Sequence, residues 1–424
     1  MKIMCRRKYL TFLLITACSL AYGQDAGPGV VEINHLLSEK SFIKANELYK
    51  TRKKELPAVY QCYVEASLNN AFNRLPESES MIDRVLKYKK KLPDSLMVKL
   101  LEIKKDNTIK LYQYKEAAGT INTLLKDYSQ FLTNKQRDDL KNDFALWSAL
   151  ANTPAQTITI KDNTILKIVQ DKAGLKNIKV TTDADSVDFI FDTGANISTI
   201  SRSVATKMGM KLIDASIKVG AITGKEVSAR LALCEKLLIG NMQINNAVFL
   251  VFDDADLAFP QIGYHINGIL GFPVIEAMKE ITLTKDGYLT VPKKADHASY
   301  VTNMAMDQLI PLLFIKDNPF TFDTGADNTI LFRPYFLENR EAITGQYQPE
   351  TISFGGAGGA MKYKGYKINA SLDIAGRKIS LKGISLVTDD MGKDDGIFGN
   401  IGQDVIKQFQ SMTLNFKSMF IHFQ

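Results

Sequence analysis

Two short stretches of this sequence are near copies of each other: FIFDTGAN at 189–196 and FTFDTGAD at 320–327. In each, an apolar run typical of a buried strand leads into Asp-Thr-Gly-Ala, where the glycine permits a tight turn. The aspartates of the two copies, Asp192 and Asp323, lie 131 residues apart (323 minus 192). A strand that delivers a carboxyl group into a turn is therefore expected twice in one chain.

The similarity continues downstream of each copy. NGILG at 267–271 precedes the apolar run VIEAM, and DGIFG at 395–399 precedes the apolar run VIKQF. Shortly afterwards, ITL at 281–283 is matched by MTL at 412–414. A tetrapeptide that recurred by chance would not be followed by matching downstream segments, so the pattern indicates an internal duplication.

The two copies leave one ambiguity. The local pattern of two apolar residues and a glycine aligns Gly271 with Gly399. The 131-residue offset instead aligns Gly271 with Gly402, within NIG at 400–402. A shift of three residues decides which glycine is equivalent in the second copy, and both remain candidates.

An Asp-Thr-Gly turn followed by a hairpin, an apolar-apolar-Gly segment and a helix resembles one lobe of an aspartic peptidase. Asp-Thr-Gly-Ala is the retropepsin form of this motif, and two lobes on one chain are the pepsin-like arrangement. Over 157–424 the sequence therefore resembles tandem retropepsin-like aspartic peptidase lobes of a bacterial secreted type. The resemblance implies an all-β, bilobal acid-protease fold, with lobe one over 154–297 and lobe two over 298–424.

The resemblance also implies the chemistry. Carboxyl groups held about 3 Å apart cannot both ionise, so Asp192 and Asp323 would share one proton. The pair would activate a water molecule that attacks a peptide carbonyl, which makes the protein an aspartic endopeptidase acting on polypeptides. No cofactor or metal is expected. The alternatives are a catalytically silent peptide-binding or scaffold protein that binds its partners through its N-terminal helices, and a maturation protease that acts on one partner only.

Further site residues follow from the same resemblance. The hydroxyl groups of Thr193 and Thr324 would cross-link the two turns, and the N–H groups of Gly194 and Gly325 would hold the carboxylates. Each lobe would also carry a hairpin that closes over the substrate as a flap. The candidate flaps and their substrate-binding residues are 217–227, with Gly220, Ile222 and Gly224, and 352–361, with Gly355, Gly356 and Gly358.

Residues 30–150 have a different pattern of apolar and charged residues. Leu, Tyr and Ala recur at three- and four-residue spacing, and Lys and Glu fill the positions between them, which predicts amphipathic helices. A weak repeat relates 71–87 to 110–126. The pattern resembles tetratricopeptide-like (TPR-like) hairpins and predicts an all-α helical-repeat domain over 24–153, with a plain helical bundle as the alternative. Both interpretations predict a surface for a protein partner.

The first 23 residues predict a secretory signal peptide. Four basic residues precede an apolar run at 10–17, and this run is too short for a membrane span of about 20 residues. Cleavage before Gln24 would leave an exported protein, periplasmic or extracellular. The alternative is a lipobox that ends at Cys18, which would leave an outer-membrane lipoprotein with a lipid anchor.

Charge and cysteine content argue against other classes. The formal charge is +7, from 53 Lys and Arg against 46 Asp and Glu, but without the four N-terminal basic residues it is +3 (49 minus 46). So small an excess does not favour a nucleic-acid partner. Cys62 and Cys234 fall in different predicted domains, so we expect no disulfide between them, and the four His have no metal-ligand spacing. No G-x-S-x-G or H-E-x-x-H sequence is present.

Overall fold

The computed structural model describes residues 27–88, 92–220, 226–260, 263–295, 300–356, 359–390 and 396–424. The predicted signal peptide, with Cys18 and Gln24, lies outside the described residues, as do the flap candidates Ile222, Gly224 and Gly358. The chain divides into two compact units, one ending at Phe144 and the other beginning at Ala145. Helices fill the first unit, and strands with a few short helices fill the second.

The first unit confirms the prediction of helices. In chain order they are α1 Pro28–Ser38, α2 Phe42–Arg52, α3 Ala58–Ala71, α4 Leu75–Lys87, α5 Asp94–Lys110, α6 Tyr114–Asp127 and α7 Asn134–Ala149, the last of which continues into the second unit. Apolar side chains at the predicted spacing are buried, for example Ile33, Leu100 and Ile121. No helix in the described part of the chain is long and apolar enough to cross a membrane.

Three helix pairs, α1–α2, α3–α4 and α5–α6, are joined by the same three-residue turn. The middle residue of the turn has a left-handed backbone, with φ of 57° at Lys40, 55° at Asn73 and 58° at Tyr112. The N–H of the next residue donates to a carbonyl five residues earlier, which closes the preceding helix in a Schellman motif. The hairpin is therefore a recurring element of this unit, and the TPR-like assignment stays a prediction.

Lobe one forms the first part of the second unit. Its strands are β1 Thr157–Ile160, β2 Thr164–Lys167, β3 Val169–Gln170, β4 Lys176–Thr181, β5 Ser186–Phe191, β6 Ser198–Ser201, β7 Lys211–Gly220, β8 Glu226–Ile239, β9 Met242–Phe252, β10 Ala258–Phe259, β11 Tyr264–His265, β12 Gly268–Leu270, β13 Glu280–Thr284 and β14 Tyr288–Val291, and its helices are α8 Arg202–Lys207 and α9 Phe272–Ala277. The main sheet has the order β1-β9-β6-β12-β5-β4-β8-β7, with β3 on β4.

Lobe two follows with a second large sheet. Its strands are β15 Met304–Asp307, β16 Ile310–Ile315, β17 Asn318–Phe322, β18 Ile330–Leu331, β19 Glu350–Gly356, β20 Gly359–Ile374, β21 Arg377–Val387, β22 Gly399–Ile401, β23 Ser411–Asn415 and β24 Phe420–Phe423, and its helices are α10 Arg333–Glu338, α11 Arg340–Gln346 and α12 Gln403–Ile406. The sheet order is β15-β16-β17-β22-β18-β21-β20-β19. The 131-residue offset relates β12 to β22, β13 to β23 and α8 to α10.

Each lobe has a short strand inserted between two others. β12 pairs in parallel with β5 and antiparallel with β6, and β22 pairs in the same way with β17 and β18. β5 and β17 end immediately before Asp192 and Asp323. The N–H of Asp192 donates to Leu270 O at 3.2 Å, and that of Asp323 donates to Ile401 O at 3.0 Å. The inserted strands therefore hold both turns from the same side.

The counterpart of Gly271 is Gly402, and the alignment with Gly399 is wrong. The N–H of Gly271 donates to the hydroxyl of Ser198 at 3.0 Å, and the N–H of Gly402 donates to that of Thr329 at 3.1 Å. Ser198 and Thr329 are themselves 131 residues apart. A Cβ atom would lie 2.7 Å from backbone at Gly271 and 2.8 Å from backbone at Gly402. Both glycines are therefore needed for close packing behind the turns.

A third sheet joins the lobes, with the order β2-β14-β13-β23-β24. At its centre β13 of lobe one pairs antiparallel with β23 of lobe two, and Thr282 lies opposite Thr413. These threonines are 131 residues apart, and their hydroxyl oxygens are 2.8 Å from each other. The pseudo-twofold axis that relates the lobes therefore passes between them, and the matched ITL and MTL segments pair with each other.

Candidate active site

The two Asp-Thr-Gly turns meet where the lobes join. Within each turn the backbone holds the carboxyl group: the N–H of Gly194 donates to Asp192 Oδ1, and the N–H of Gly325 donates to Asp323 Oδ1, both at 2.8 Å. Hydrogen bonds to a carboxylate favour its ionised form. The two glycines that were named from the sequence therefore contact the two candidate aspartates directly.

The two threonines lock the turns together. Thr193 Oγ1 donates to the carbonyl of Phe322 at 2.7 Å, and Thr324 Oγ1 donates to the carbonyl of Phe191 at 2.8 Å. Each hydroxyl also accepts the N–H of the other threonine at 3.0 Å. Both side chains are buried. Four hydrogen bonds across the lobe boundary therefore set the separation of the turns, and each hydroxyl acts as both donor and acceptor.

Each glycine packs against the aspartate of the opposite turn. A Cβ atom on Gly194 would lie 2.6 Å from Asp323 Cγ, and one on Gly325 would lie 2.3 Å from Asp192 Cγ. Atoms that are not bonded to each other do not come this close in a packed interior, where carbon atoms lie about 3.5–4.0 Å apart. A side chain at either position would push the two carboxyl groups apart, so the site requires glycine for close approach.

The carboxyl groups of Asp192 and Asp323 lie side by side where the two turns meet, each against the glycine of the opposite turn. Protein surrounds the Asp192 carboxyl, and this loss of solvent, followed by the charge of Asp323, raises the pKa of Asp192 well above its usual value of about 3.9. Both residues keep some accessible surface. The pair is therefore suited to retain one proton while an ionised carboxylate remains within reach of water.

Two polar residues at this site were missed by the sequence analysis. Asn400 Nδ2 donates to Asp323 Oδ2 at 3.1 Å, and Thr321 Oγ1 donates to Asn400 Oδ1 at 2.5 Å. At the 131-residue offset the equivalent residues of lobe one are Ile190 and Ile269. The 131-residue alignment could have identified Thr321 and Asn400 from the sequence, since it matches these two polar residues with two isoleucines. The alternative alignment, shifted by three residues, does not match Asn400 with Ile269.

A second polar contact supports the turn of lobe two. Gln403 is buried, and its Nε2 donates to the carbonyl of Thr324 at 2.7 Å while its Oε1 accepts from Lys176 of lobe one at 2.6 Å. Burial, with Lys407 nearby, lowers the pKa of Lys176 to about 8. The residue of lobe one that corresponds to Gln403 is Phe272. The second turn therefore rests on a polar chain that begins in the other lobe.

Hairpins occupy both positions that were predicted as flaps. β7 ends at Gly220, which pairs with Glu226 of β8. β19 ends at Gly356, which pairs with Gly359 of β20, and Gly355 precedes it in the same strand. The closing of these hairpins over a substrate stays a prediction, and the other tip candidates, Ile222, Gly224 and Gly358, lie outside the described residues.

A family model described as Aspartyl protease matches residues 178–274. The match begins in β4, includes the turn at 192–194 and ends in α9, so it covers most of lobe one. No curated protein sequence matches the chain. The family match supports an aspartyl protease domain in lobe one, and with it a peptidase function for the chain.

Proposed function

We propose that this chain is an exported aspartic endopeptidase in which each lobe supplies one carboxyl group to a shared site. The observation that carries the proposal is the interlocked pair of turns, which brings the carboxyl groups of Asp192 and Asp323 side by side. Aspartates that merely cap turns need neither a partner carboxyl nor four threonine hydrogen bonds. Holding two like charges together is unfavourable, and perturbed pairs of this kind concentrate at catalytic sites.

The pair can hydrolyse a peptide bond without a covalent intermediate. The ionised carboxylate takes a proton from water, the water oxygen attacks the carbonyl carbon, and the protonated carboxyl gives its proton to the carbonyl oxygen. The resulting diol breaks down when the newly protonated carboxyl donates to the amide nitrogen and the C–N bond breaks. The other carboxylate then takes back a proton from a diol hydroxyl, and the pair returns to its starting state.

The proposed substrate is an extended polypeptide that lies between the lobes. β7 and β19 are end strands of their sheets, and an extended peptide can add to such an edge through main-chain hydrogen bonds. Glycine at Gly220, Gly355 and Gly356 would let a peptide backbone approach closely. The flap role rests on the resemblance to retropepsin-like lobes, which also predicts Ile222, Gly224 and Gly358 as substrate-binding residues.

The test is cleavage of an unfolded protein mixture by the mature chain between about pH 3 and 8, beside Asp192→Asn and Asp323→Asn. We expect both variants to lose at least about 10³-fold in kcat/KM. The control is Asp327→Asn, which makes the same change at an exposed carboxylate that pairs with Lys407 at 3.4 Å. A parent that cuts no better than the two variants at every pH refutes general proteolysis and favours the silent peptide-binding scaffold or a protease that acts on one partner only.

Export is proposed from the N-terminal sequence, with the mature protein in the periplasm or outside the cell. Cleavage before Gln24 and lipidation of Cys18 predict different mature N-termini. Mass spectrometry of the protein from its native host distinguishes them, because the first leaves an unmodified chain and the second adds acyl mass at Cys18. A chain that still carries its first residues would contradict both.

The helical unit is proposed to bind a protein partner or substrate through a TPR-like surface. Its three hairpins with one recurring turn support this proposal. Cross-linking of the full-length Asp192→Asn variant in its native compartment, with cross-links mapped by mass spectrometry, tests it. We expect partner cross-links within 28–149, and cross-links confined to the lobes would contradict the proposal.

A further inference from the structure

We propose that Asn400, oriented by Thr321, holds the negative charge on Asp323, so that Asp323 is the base and Asp192 the acid of the reaction. This inference rests on the proposed function and gives unequal roles to two carboxyl groups that the duplication would otherwise leave interchangeable. Because Asn400 and Thr321 act through Asp323, they are positioning residues.

The polar pair occupies a single registered position of the lobe two sheet. Thr321 of β17 lies opposite Asn400 of β22. In lobe one, Ile190 of β5 lies opposite Ile269 of β12 in the same parallel pairing. The backbone arrangement is shared, so the difference between the lobes here lies in the side chains. One carboxyl group therefore has an amide donor from the neighbouring strand, and its counterpart has an isoleucine in that place.

Thr321 determines which way the amide faces. Its hydroxyl donates to Asn400 Oδ1 at 2.5 Å, which directs Nδ2 toward Asp323 Oδ2 at 3.1 Å. The N–H groups of Gly325 and Ala326 donate to the other oxygen, Oδ1, at 2.8 and 3.1 Å. Asp323 therefore accepts three N–H groups shared over both of its oxygens. Donors in this number stabilise the ionised carboxylate over the neutral acid.

Asp192 has a different environment. The N–H groups of Gly194, at 2.8 Å, and of Ala195 donate to it from its own turn, but the adjacent strand contributes Ile269, whose side chain has no polar atom. Burial and the neighbouring Asp323 raise the pKa of Asp192 well above its usual value. The proton that the pair shares therefore resides on Asp192, where it can be given to a substrate carbonyl oxygen.

The charged residues of the elements around the second turn have partners of their own. These pairs are Asp327 with Lys407 at 3.4 Å, Asp404 with the hydroxyl of Thr329 at 2.6 Å, and Lys176 with Gln403 at 2.6 Å. The ionisable group that faces Asp323 in the described part of the chain is therefore Asp192. The Asn400 amide is the neutral donor that distinguishes the two carboxyl groups.

The test compares the pH profile of kcat/KM for the parent with that of Asn400→Ile, which gives lobe two the residue of lobe one. We expect the acidic limb to move up by about one pH unit, since a hydrogen bond to a charged group has roughly that effect. The basic limb stays in place because it reports loss of the Asp192 proton when Asp323 is already ionised. Thr321→Val, which leaves Asn400 free to turn, moves the acidic limb in the same direction by less.

The matched control is Ile269→Val, at the same strand position in lobe one, and its profile keeps the limbs of the parent. An Asn400→Ile profile with unchanged limbs overturns the inference, whatever its height, because a purely structural role lowers kcat at every pH. A downward shift also overturns it, since Asn400 would then accept a proton from Asp323. If Asn400→Ile does not fold, Thr321→Val decides by the same criteria.

A second measurement separates this inference from the proposed activity. Infrared difference titration of the chain with ¹³C-labelled aspartate reads the carboxyl groups without substrate, and Asp323→Asn assigns the signal. We expect Asp323 to ionise first, and Asn400→Ile to raise that ionisation by about one pH unit. If this holds in a chain that cleaves nothing, the peptidase proposal fails and the charge assignment stands. If the parent cleaves and Asn400→Ile leaves the titration unchanged, the peptidase proposal stands and the charge assignment fails.

Discussion

Lobe one and lobe two share a backbone and differ where their side chains reach the carboxyl pair. The 131-residue offset relates the ends of β5 and β17, and relates β12 and β13 to β22 and β23, whereas the intervening β9 and β21 are offset by 135 residues. Within this frame, three apolar residues of lobe one are polar in lobe two: Ile190 against Thr321, Ile269 against Asn400, and Phe272 against Gln403. The duplication therefore preserves what the backbone needs and changes what touches the second aspartate and its turn.

This difference between the lobes is possible because both lobes lie in one chain. Two identical lobes would surround both carboxyl groups with the same side chains, and the shared proton would have no preferred side. Two copies within one sequence can diverge, and here the divergence places an amide donor against Asp323 and a buried Gln403 against the carbonyl of Thr324. The polar changes concentrate on one carboxyl group and its turn, which makes the pair unequal.

Outside the two aspartates themselves, the largest effect is expected from a side chain at either glycine of the turns. Gly194→Ala and Gly325→Ala would each place a Cβ atom within van der Waals overlap of the opposite carboxyl, at 2.6 and 2.3 Å from Cγ. We expect kcat/KM to fall at least about 100-fold for each, because displacements near 1 Å are that costly. Steady-state kinetics on a cleaved peptide measure the loss, with Gly345→Ala, which has open space around it, as the control. Near-parental rates would show that the turns are not this close.

The threonine lock tests whether the lobes contribute equally to stability. Thr193→Val and Thr324→Val each remove a buried hydroxyl with two hydrogen bonds and leave a carbonyl and an N–H without partners. Each such group costs about 1–3 kcal/mol, so the free energy of unfolding should fall by about 2–6 kcal/mol.

Hydrogen exchange of β5 and β17 in urea measures these losses. The control is Thr206→Val, at an exposed hydroxyl in α8, which should cost less than about 0.5 kcal/mol. Equal losses for the two variants would show that both threonine hydroxyls contribute equally to stability. A loss near that of the control in either variant would show that its hydroxyl contributes little.

The pH dependence of stability tests whether the pKa of Asp192 is raised in the folded state. Because the pKa of Asp192 is raised in the folded state, its proton stabilises the fold. That stability is fully present below the unfolded pKa of about 3.9 and is lost as the pH rises through the folded pKa. We expect the Tm of the parent to fall relative to that of Asp192→Asn as the pH rises through the folded pKa of Asp192. Below about pH 4 the two plots of Tm against pH should run parallel. Calorimetry that finds a constant gap at every pH would contradict the raised pKa.

The smallest effect is expected at the other contact on the pseudo-twofold axis. Thr282→Val removes one partly buried hydroxyl contact, to Thr413 at 2.8 Å, and should lower the free energy of unfolding by about 1 kcal/mol. The limbs of the pH profile should not move, because this pair lies in the sheet between the lobes. A shifted limb would mean that the sheet, and not Asn400, controls the carboxyl pair.

The duplicated turns were predictable because Asp-Thr-Gly recurs with its strand, its glycine and its helix. The helices of the first unit were predictable from three- and four-residue spacing alone. Both signals are local, in the sense that a window of some twenty residues contains them. The pairing of Thr282 with Thr413 is not local, since it depends on how two distant strands meet at the lobe boundary.

Asn400 was missed for a different physical reason. Its role depends on which residue of lobe one it matches, and the apolar-apolar-Gly pattern fits Gly399 as well as Gly402. The hydrogen bond from the Gly402 N–H to Thr329 decides the register, and with it the match of Asn400 to Ile269. A polar residue in an apolar strand became informative only when that register was known.

Asp192 and Asp323 are proposed to act as one unit. The most direct test is kcat/KM for Asp192→Asn, Asp323→Asn and the double variant, each shown to keep the Tm expected of a folded chain. Groups that act together are strongly non-additive, so the double variant should retain the same residual activity as either single variant. Losses that multiply in the double variant would mean that the two carboxyl groups work independently, and would contradict the account.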